Sequence, residues 1–253
     1  MNKKKYPVEN IRNNFYKKKN LNLYFLMQKR FEWMNYYIKN KKSIGLEVGT
    51  GADFAKAFIK NKNLKSSDYA SWKHLDFKNI DAHKTPFKSS SYDYVIAVNM
   101  IHHLQYPKKF LNEIYRILKT KGKLIIFEPN GSLFLRVILN ITQHESFDKN
   151  IDIWDLKKKS KKKDPWDGNN AIADLLFENK QKFSKFFNKK FKIIYEEKCE
   201  FLTFLNSGGV YFRSYYIPLN KFLQKLLWIF DEILTKLFPS IFALGKKIVL
   251  EKI

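Results

Sequence analysis

The sequence predicts an α/β fold built on a largely parallel sheet, and three observations carry that expectation. Short apolar runs alternate with helical patterns over residues 42–130, the signature of strand–helix–strand units. The first run, 43–48, ends in Gly49-Thr-Gly51, where a strand feeds a helix and leaves its first N–H groups exposed. With 253 residues, of which 45% are hydrophobic and 17% aromatic, the chain can bury a sizeable core and is not disordered.

The elements follow in order. Residues 1–41 read as a basic, aromatic-rich helical lead-in bearing Phe25, Leu26, Phe31, Trp33, Met34 and Ile38. The core, 42–130, has strands at 43–48, 64–67, 77–80, 94–98 and 123–127. Helices are expected at 52–60 and 107–120, with Phe110, Leu111, Ile114, Ile117 and Leu118 on one face of the second. Lys121-Gly122 reads as a turn. The remainder, 131–253, is expected to complete the same domain as an acceptor-side lid, a helical insertion and closing strands. Within it, 155–165 is a charge run read as a mobile loop, 191–204 a long strand, and 205–209 a turn with paired glycines. Residues 219–238 carry apolar side chains at helical spacing, and 246–252 close the sheet as an edge strand.

Composition narrows the partners. The net charge of +24 suggests nucleic acid or an anionic membrane. However, only Arg12, Arg30, Arg116, Arg136 and Arg213 are arginines, and phosphate and base recognition lean on arginine's fork. The lysine excess matches a general skew toward Lys, Asn, Ile and Phe, so no nucleic-acid partner is expected. The single cysteine, Cys199, rules out a disulfide scaffold and fits a reducing, cytoplasmic setting. No apolar stretch is long enough to span a bilayer.

The segment Glu47-Val-Gly49-Thr-Gly51-Ala-Asp53 is the chemical centre of the sequence. A dinucleotide fingerprint wants a third glycine where Phe54 stands, which disfavours NAD and FAD. An acid two residues before the first glycine suits an ammonium group instead. Further on come Ser66-Ser67-Asp68, Asp81-Ala-His-Lys-Thr-Pro86-Phe87, Ser91-Tyr-Asp93-Tyr-Val95, Asn99-Met-Ile-His102-His103-Leu104 and Arg116-Ile-Leu-Lys119.

In that order and spacing the chain resembles the class I S-adenosylmethionine (SAM)-dependent methyltransferases that share the methyltransferase type 11 core. The resemblance implies a Rossmann-like seven-stranded sheet and SAM as cofactor. It implies cofactor contacts from Glu47, Gly49, Thr50, Gly51, Asp68, Asp81, Ala82 and Asn99, with Asp68 on the ribose hydroxyls and Asp81 and the next N–H at the adenine. Leu118-Lys119-Thr120-Lys121-Gly122 keeps one glycine of the family's usual pair, and Thr85 replaces its usual leucine. A looser resemblance links Glu128-Pro129-Asn130, His144–Asp148 and Ser207-Gly208-Gly209 to a subgroup from bacterial surface-polysaccharide and lipid-linked sugar loci. That implies a small-molecule or lipid-linked acceptor. Separately, the apolar run Leu226–Phe230 within 219–238, with Lys221, Lys225 and Lys236, reads either as a contact for the inner membrane face or as a face packed on the sheet or in a dimer interface.

His144 beside Glu145 is the first candidate base and His103 the second, though both also fit purely structural roles. Asp93 reads as structural, and Trp72 either lines the adenine pocket or anchors a loop. The five histidines show no metal-ligand spacing beyond the adjacent pair 102–103, so no metal is expected. Two alternatives use the same scaffold: a catalytically silent SAM-binding module, and a basic membrane- or RNA-binding protein.

Overall fold

The computed structural model describes residues 8–155, 167–210 and 214–253; nearly all of the charge run at 155–165 lies outside the described residues. Two helices, α1 (Val8–Tyr16) and α2 (Leu21–Glu32), lead into β1 (Gly45–Val48). Then follow α3 (Ala55–Phe58), β2 (Leu64–Ser67), β3 (Tyr92–Val98), α4 (Pro107–Ile117), β4 (Leu118–Pro129) and α5 (Leu133–Thr142). The rest comprises α6 (Ile172–Phe177), α7 (Lys180–Phe187), β5 (Phe191–Cys199), α8 (Leu202–Leu205), α9 (Lys221–Leu237), α10 (Pro239–Phe242) and β6 (Gly245–Lys252).

The strands form one sheet in the order β2-β1-β3-β4-β6-β5. The first four are parallel, while β6 runs antiparallel to both of its neighbours. Helices cover both faces, which is why β3 reads as an unbroken apolar run. Val95 and Ala97 join the face packed by α4, α6 and α7, and Tyr94 and Ile96 join the face packed by α1, α2 and α3. On α4 the side chains of Phe110, Leu111, Ile114 and Ile117 are all fully buried. Each contributes roughly 1.5–3 kcal/mol relative to exposure. The N-termini of α2, α5, α7 and α9 are capped by Asn20, Ser132, Asn179 and Asn220, whose side chains accept the N–H three residues on.

Five expectations need correction. Six strands form instead of seven among the described residues. The expected strand at 77–80 shrinks to one parallel bridge, Ser67 to Phe77, because Asn79 turns left-handed at φ 56° and breaks the extended run. The run 191–204 ends as a strand at Cys199, since Glu200 is left-handed (φ 61°) and α8 begins at Leu202. The helix expected at 52–60 is confined to α3 because the residues before it still belong to the glycine turn. Finally, 246–252 is no edge strand: β6 lies between β4 and β5, with Ile248, Val249 and Leu250 fully buried. Its lysines mimic an edge pattern, but each has an interior partner. Lys246 pairs with Asp174 at 2.7 Å, Lys247 with Glu197 at 2.8 Å, and Lys252 donates to the Tyr115 and Leu118 carbonyls.

Topology sets where a ligand can go. The carboxyl ends of β1 to β4 share one edge of the sheet, and Pro129 pairs there with Gly245, which in turn pairs with Cys199. Consequently α5, α8 and α10 leave or enter the sheet at the edge that carries the glycine turn.

Candidate functional site

The turn after β1 is left-handed at Gly49 (φ 67°), Gly51 (φ 55°) and Asp53 (φ 63°). Its two glycines serve different ends. A Cβ on Gly49 would sit 2.2 Å from Met100 Cγ, so this glycine lets the turn pass the loop after β3; a Cβ on Gly51 meets nothing within 4 Å. Gly51 therefore opens the backbone to a ligand, whereas Gly49 holds the loop packing. Gly49→Val is expected to lose about 2–4 kcal/mol of stability through strain and overpacking, read by denaturant melts, and any SAM binding with it.

The turn is stapled to β2. Thr50 N donates to the Ser67 carbonyl at 3.1 Å, and Ser67 Oγ donates to the Glu47 carbonyl at 2.8 Å. Asp68 Oδ2 accepts Gly51 N at 2.9 Å and Oδ1 accepts Ala70 N at 2.8 Å. His74 donates its Nε2–H to the Gly51 carbonyl at 2.8 Å. From the far side α1 roofs the turn: Tyr16 Oη donates to the Asp53 carbonyl at 2.7 Å, and Arg12 lies 3.7 Å from the Asp53 carboxylate.

Glu47 is 3% exposed, and its Oε2 has no hydrogen-bond partner. Burial first, then the nearby Asp53 charge, pushes its carboxyl well above the usual carboxylate range. Burial also raises Asp53 and Asp68. A buried carboxylate with one oxygen left unpartnered near an open glycine backbone fits a ligand that brings its own cation, as the α-ammonium of SAM would.

Farther along the edge, Asp81 is half-exposed and its Oδ1 accepts both His83 N at 2.8 Å and His83 Nδ1–H at 2.7 Å. Ala82 is partly buried against the core. Trp72 is buried, with no partner for its indole N–H.

The loop after β3 begins at Asn99, left-handed at φ 48°, whose N–H donates to the Phe127 carbonyl. A 3₁₀ turn, Ile101–His103, follows. Glu128, at the end of β4 and fully buried, organises it: Oε1 accepts Met100 N and Ile101 N, each at 2.7 Å, and Oε2 accepts His102 Nδ1–H at 2.6 Å. On the other side of the imidazole, His102 Nε2 lies 3.6 Å from Glu145, and His103 Nε2 lies 3.8 Å from the same carboxylate. Asn170 Nδ2 holds Glu145 at 2.8 Å.

This arrangement redistributes the expected catalytic groups. Glu145 turns toward His102, His103 and Asn170, while His144 is exposed on the surface. Long-range partners decide this, and the local pairing of residues 144 and 145 carries no sign of them. Sequence spacing offers only the adjacent histidines as metal ligands; the fold brings Glu145 across, so that one ligating atom from each lies within 4.8 Å of the others. Glu128, Tyr16 and Arg12 were also missed as site-forming residues, because each acts on a distant segment. Asp93 is structural, accepting Ile44 N at 2.7 Å and pairing with Lys119 at 2.9 Å. Cys199 is buried, and burial pushes its thiol well up, which makes it inert.

A mostly parallel sheet, an acid–Gly-x-Gly turn after its first strand and an acid after the next thus share one edge of the sheet, where ligands of open α/β sheets bind. Residues 37–126 match the family model described as "Methyltransferase domain". Over 73 residues the chain is 42% identical to an uncharacterized protein of Methanocaldococcus jannaschii, covering 28% of this chain and 31% of that one. Over 79 residues it is 33% identical to the ubiquinone/menaquinone biosynthesis C-methyltransferase UbiE of Rickettsia felis, covering 31% and 32%. The chain thus spans about a third of the length of these two relatives. A SAM-dependent methyltransferase from Archaeoglobus fulgidus superposes with a TM-score of 0.48 at 16% identity, over 90% of this chain and 93% of that one. The likeness to a methyltransferase domain thus lies in residues 37–126, the segment that holds the glycine turn, Asp68, Asp81 and the loop after β3.

Proposed function

We propose that the protein transfers a methyl group from SAM to a small-molecule acceptor of the cell envelope, sugar or lipid-linked, at the inner membrane face. The observation that carries the cofactor half is the unpartnered Oε2 of buried Glu47 near the open Gly51 backbone. In this reading Glu47 takes the ammonium, and Asp68 uses its remaining lone pairs for the ribose hydroxyls. Asp81 and the Ala82 N–H meet the adenine, and Thr50 and Asn99 line the cleft. Residues 131–253 act as the acceptor-side lid over the core at 42–130, with the helical lead-in at 1–41 roofing the turn.

SAM supplies a methyl on a sulfonium that leaves as a neutral thioether, so the chain's own work is to align the acceptor and, where needed, take its proton. Of the two candidate bases, His103 is favoured over His144 by its place 3.8 Å from Glu145. His103 Nε2 takes the acceptor hydroxyl proton as the oxygen bonds to the methyl carbon, and Glu145 stabilises the resulting imidazolium. Glu128 holds the loop that carries both histidines.

Titration calorimetry tests the cofactor reading. SAM and S-adenosylhomocysteine are expected to bind and NAD is not. Asp68→Ala should weaken SAM by about 1–3 kcal/mol through lost hydrogen bonds. Absence of SAM binding, or equal binding of NAD, overturns it. For the base, His103→Ala should lower kcat with SAM affinity unchanged, while His144→Ala leaves kcat as it was.

A further inference from the structure

Helix α9 is inside out for a water-facing helix. Its buried stripe is Gln224, Trp228, Asp231 and Thr235, three of them polar. These make specific contacts: Asp231 accepts the N–H groups of Phe201, Leu202 and Thr203 at 2.6–3.2 Å, and Gln224 Nε2 donates to Asn22 Oδ1 and the Leu219 carbonyl. The apolar side chains point away. Phe222, Leu226, Ile229, Phe230, Ile233 and Leu237 are each between 47% and 67% exposed. A helix on a water-soluble surface turns its apolar stripe inward, so this one is built to be covered.

Two further features say by what. The exposed lysines of α9, Lys221, Lys225 and Lys236, flank that face, and Glu232 is its one exposed acid. A second copy would set these lysines against themselves in an isologous contact between chains of net charge +24, whereas anionic headgroups would neutralise them. No helix among the described residues is long and apolar enough to cross a membrane, so α9 can lie on a bilayer but not span it. Its position also fits. α9 runs into α10, which packs on α5 through stacked Phe134 and Phe242, and both α5 and α10 meet the sheet at the edge carrying the glycine turn. α5 adds exposed Leu133, Val137 and Ile141.

We infer that the outer face of α9 is a docking surface for an anionic lipid bilayer, lying in the headgroup plane with Phe222, Leu226 and Phe230 inserted and the lysines on the phosphates. It deepens the envelope-acceptor reading but is tested without SAM or acceptor, so either can fail alone.

The experiment floats the purified protein with vesicles of phosphatidylcholine, with and without phosphatidylglycerol. Flotation with the anionic vesicles at low salt, weakened by added salt, is expected. The double variant Leu226→Asp/Phe230→Asp should reduce the floated fraction about tenfold or more. Because both side chains are about half exposed, its thermal midpoint and circular dichroism spectrum should match wild type, and this separates lost docking from lost folding. Protein that stays at the bottom with anionic vesicles at low salt overturns the inference. So does light scattering that shows a wild-type dimer which the double variant splits, with no flotation of either.

Discussion

Glu128→Ala should destabilise the protein by about 3–5 kcal/mol and abolish methyl transfer. One fully buried carboxylate serves three backbone N–H groups, those of Met100, Ile101 and His102, and the His102 imidazole. Alanine leaves all of these donors without an acceptor in a site that water does not reach, and the 3₁₀ turn that carries His102 and His103 loses its anchor. Glu128→Gln keeps one acceptor oxygen but presents an NH₂ group to remaining donors, so an intermediate loss is expected. Denaturant melts and kcat at saturating substrate read the two effects. A Glu128→Ala protein as stable as wild type would show that the loop is held by something other than this carboxylate.

SAM affinity should rise with pH through the titration of Glu47, and Glu47→Gln should flatten that rise while weakening binding at neutral pH by about 2 kcal/mol. The sign follows from burial. The Glu47 carboxyl is raised well above its ordinary 4.5 in the folded protein, so the free native state holds a proton that the unfolded chain has already lost. Its contribution to stability is therefore fully present below about 4.5 and is lost as pH climbs toward the raised folded value. A ligand ammonium requires the carboxylate, so it displaces that proton and binds better as pH rises. Calorimetry in buffers of different ionisation enthalpy should detect proton release by wild type and less by Glu47→Gln. The variant should also be more stable than wild type at neutral pH without ligand. Equal proton release by both would place the cation elsewhere, because Asp53 and Asp68 are raised in the same sense.

What could be read from the sequence was whatever local pattern encodes. β2 spans the expected residues, β3 adds only Tyr92 and Asp93 to the expected run, and α9 occupies nearly all of 219–238, because apolar periodicity and caps such as Asn220 are short-range signals. The glycine turn was legible for the same reason. Three things were not. The place of β6 depended on buried lysines finding Asp174, Glu197 and the carbonyls at the C-terminal end of α4, and no local pattern reports those partners. The inward polar stripe of α9 was hidden because apolar spacing gives a helix face but not its direction. Glu145 was assigned to the neighbour beside it, whereas Asn170 draws it across the loop.

The interior position of β6 sets an order of events when the chain is made. Pro129 and Gly245 are paired across the sheet yet far apart in sequence, so β4 leaves the ribosome long before the strand that closes its edge. Until then its apolar run Leu124–Phe127 presents unpaired N–H and C=O groups, and β5 can join the sheet only through β6. A nascent chain cut short before residue 245 therefore carries an open β4 edge and a stray strand. It is a template for aggregation, even with residues 1–130 already synthesised.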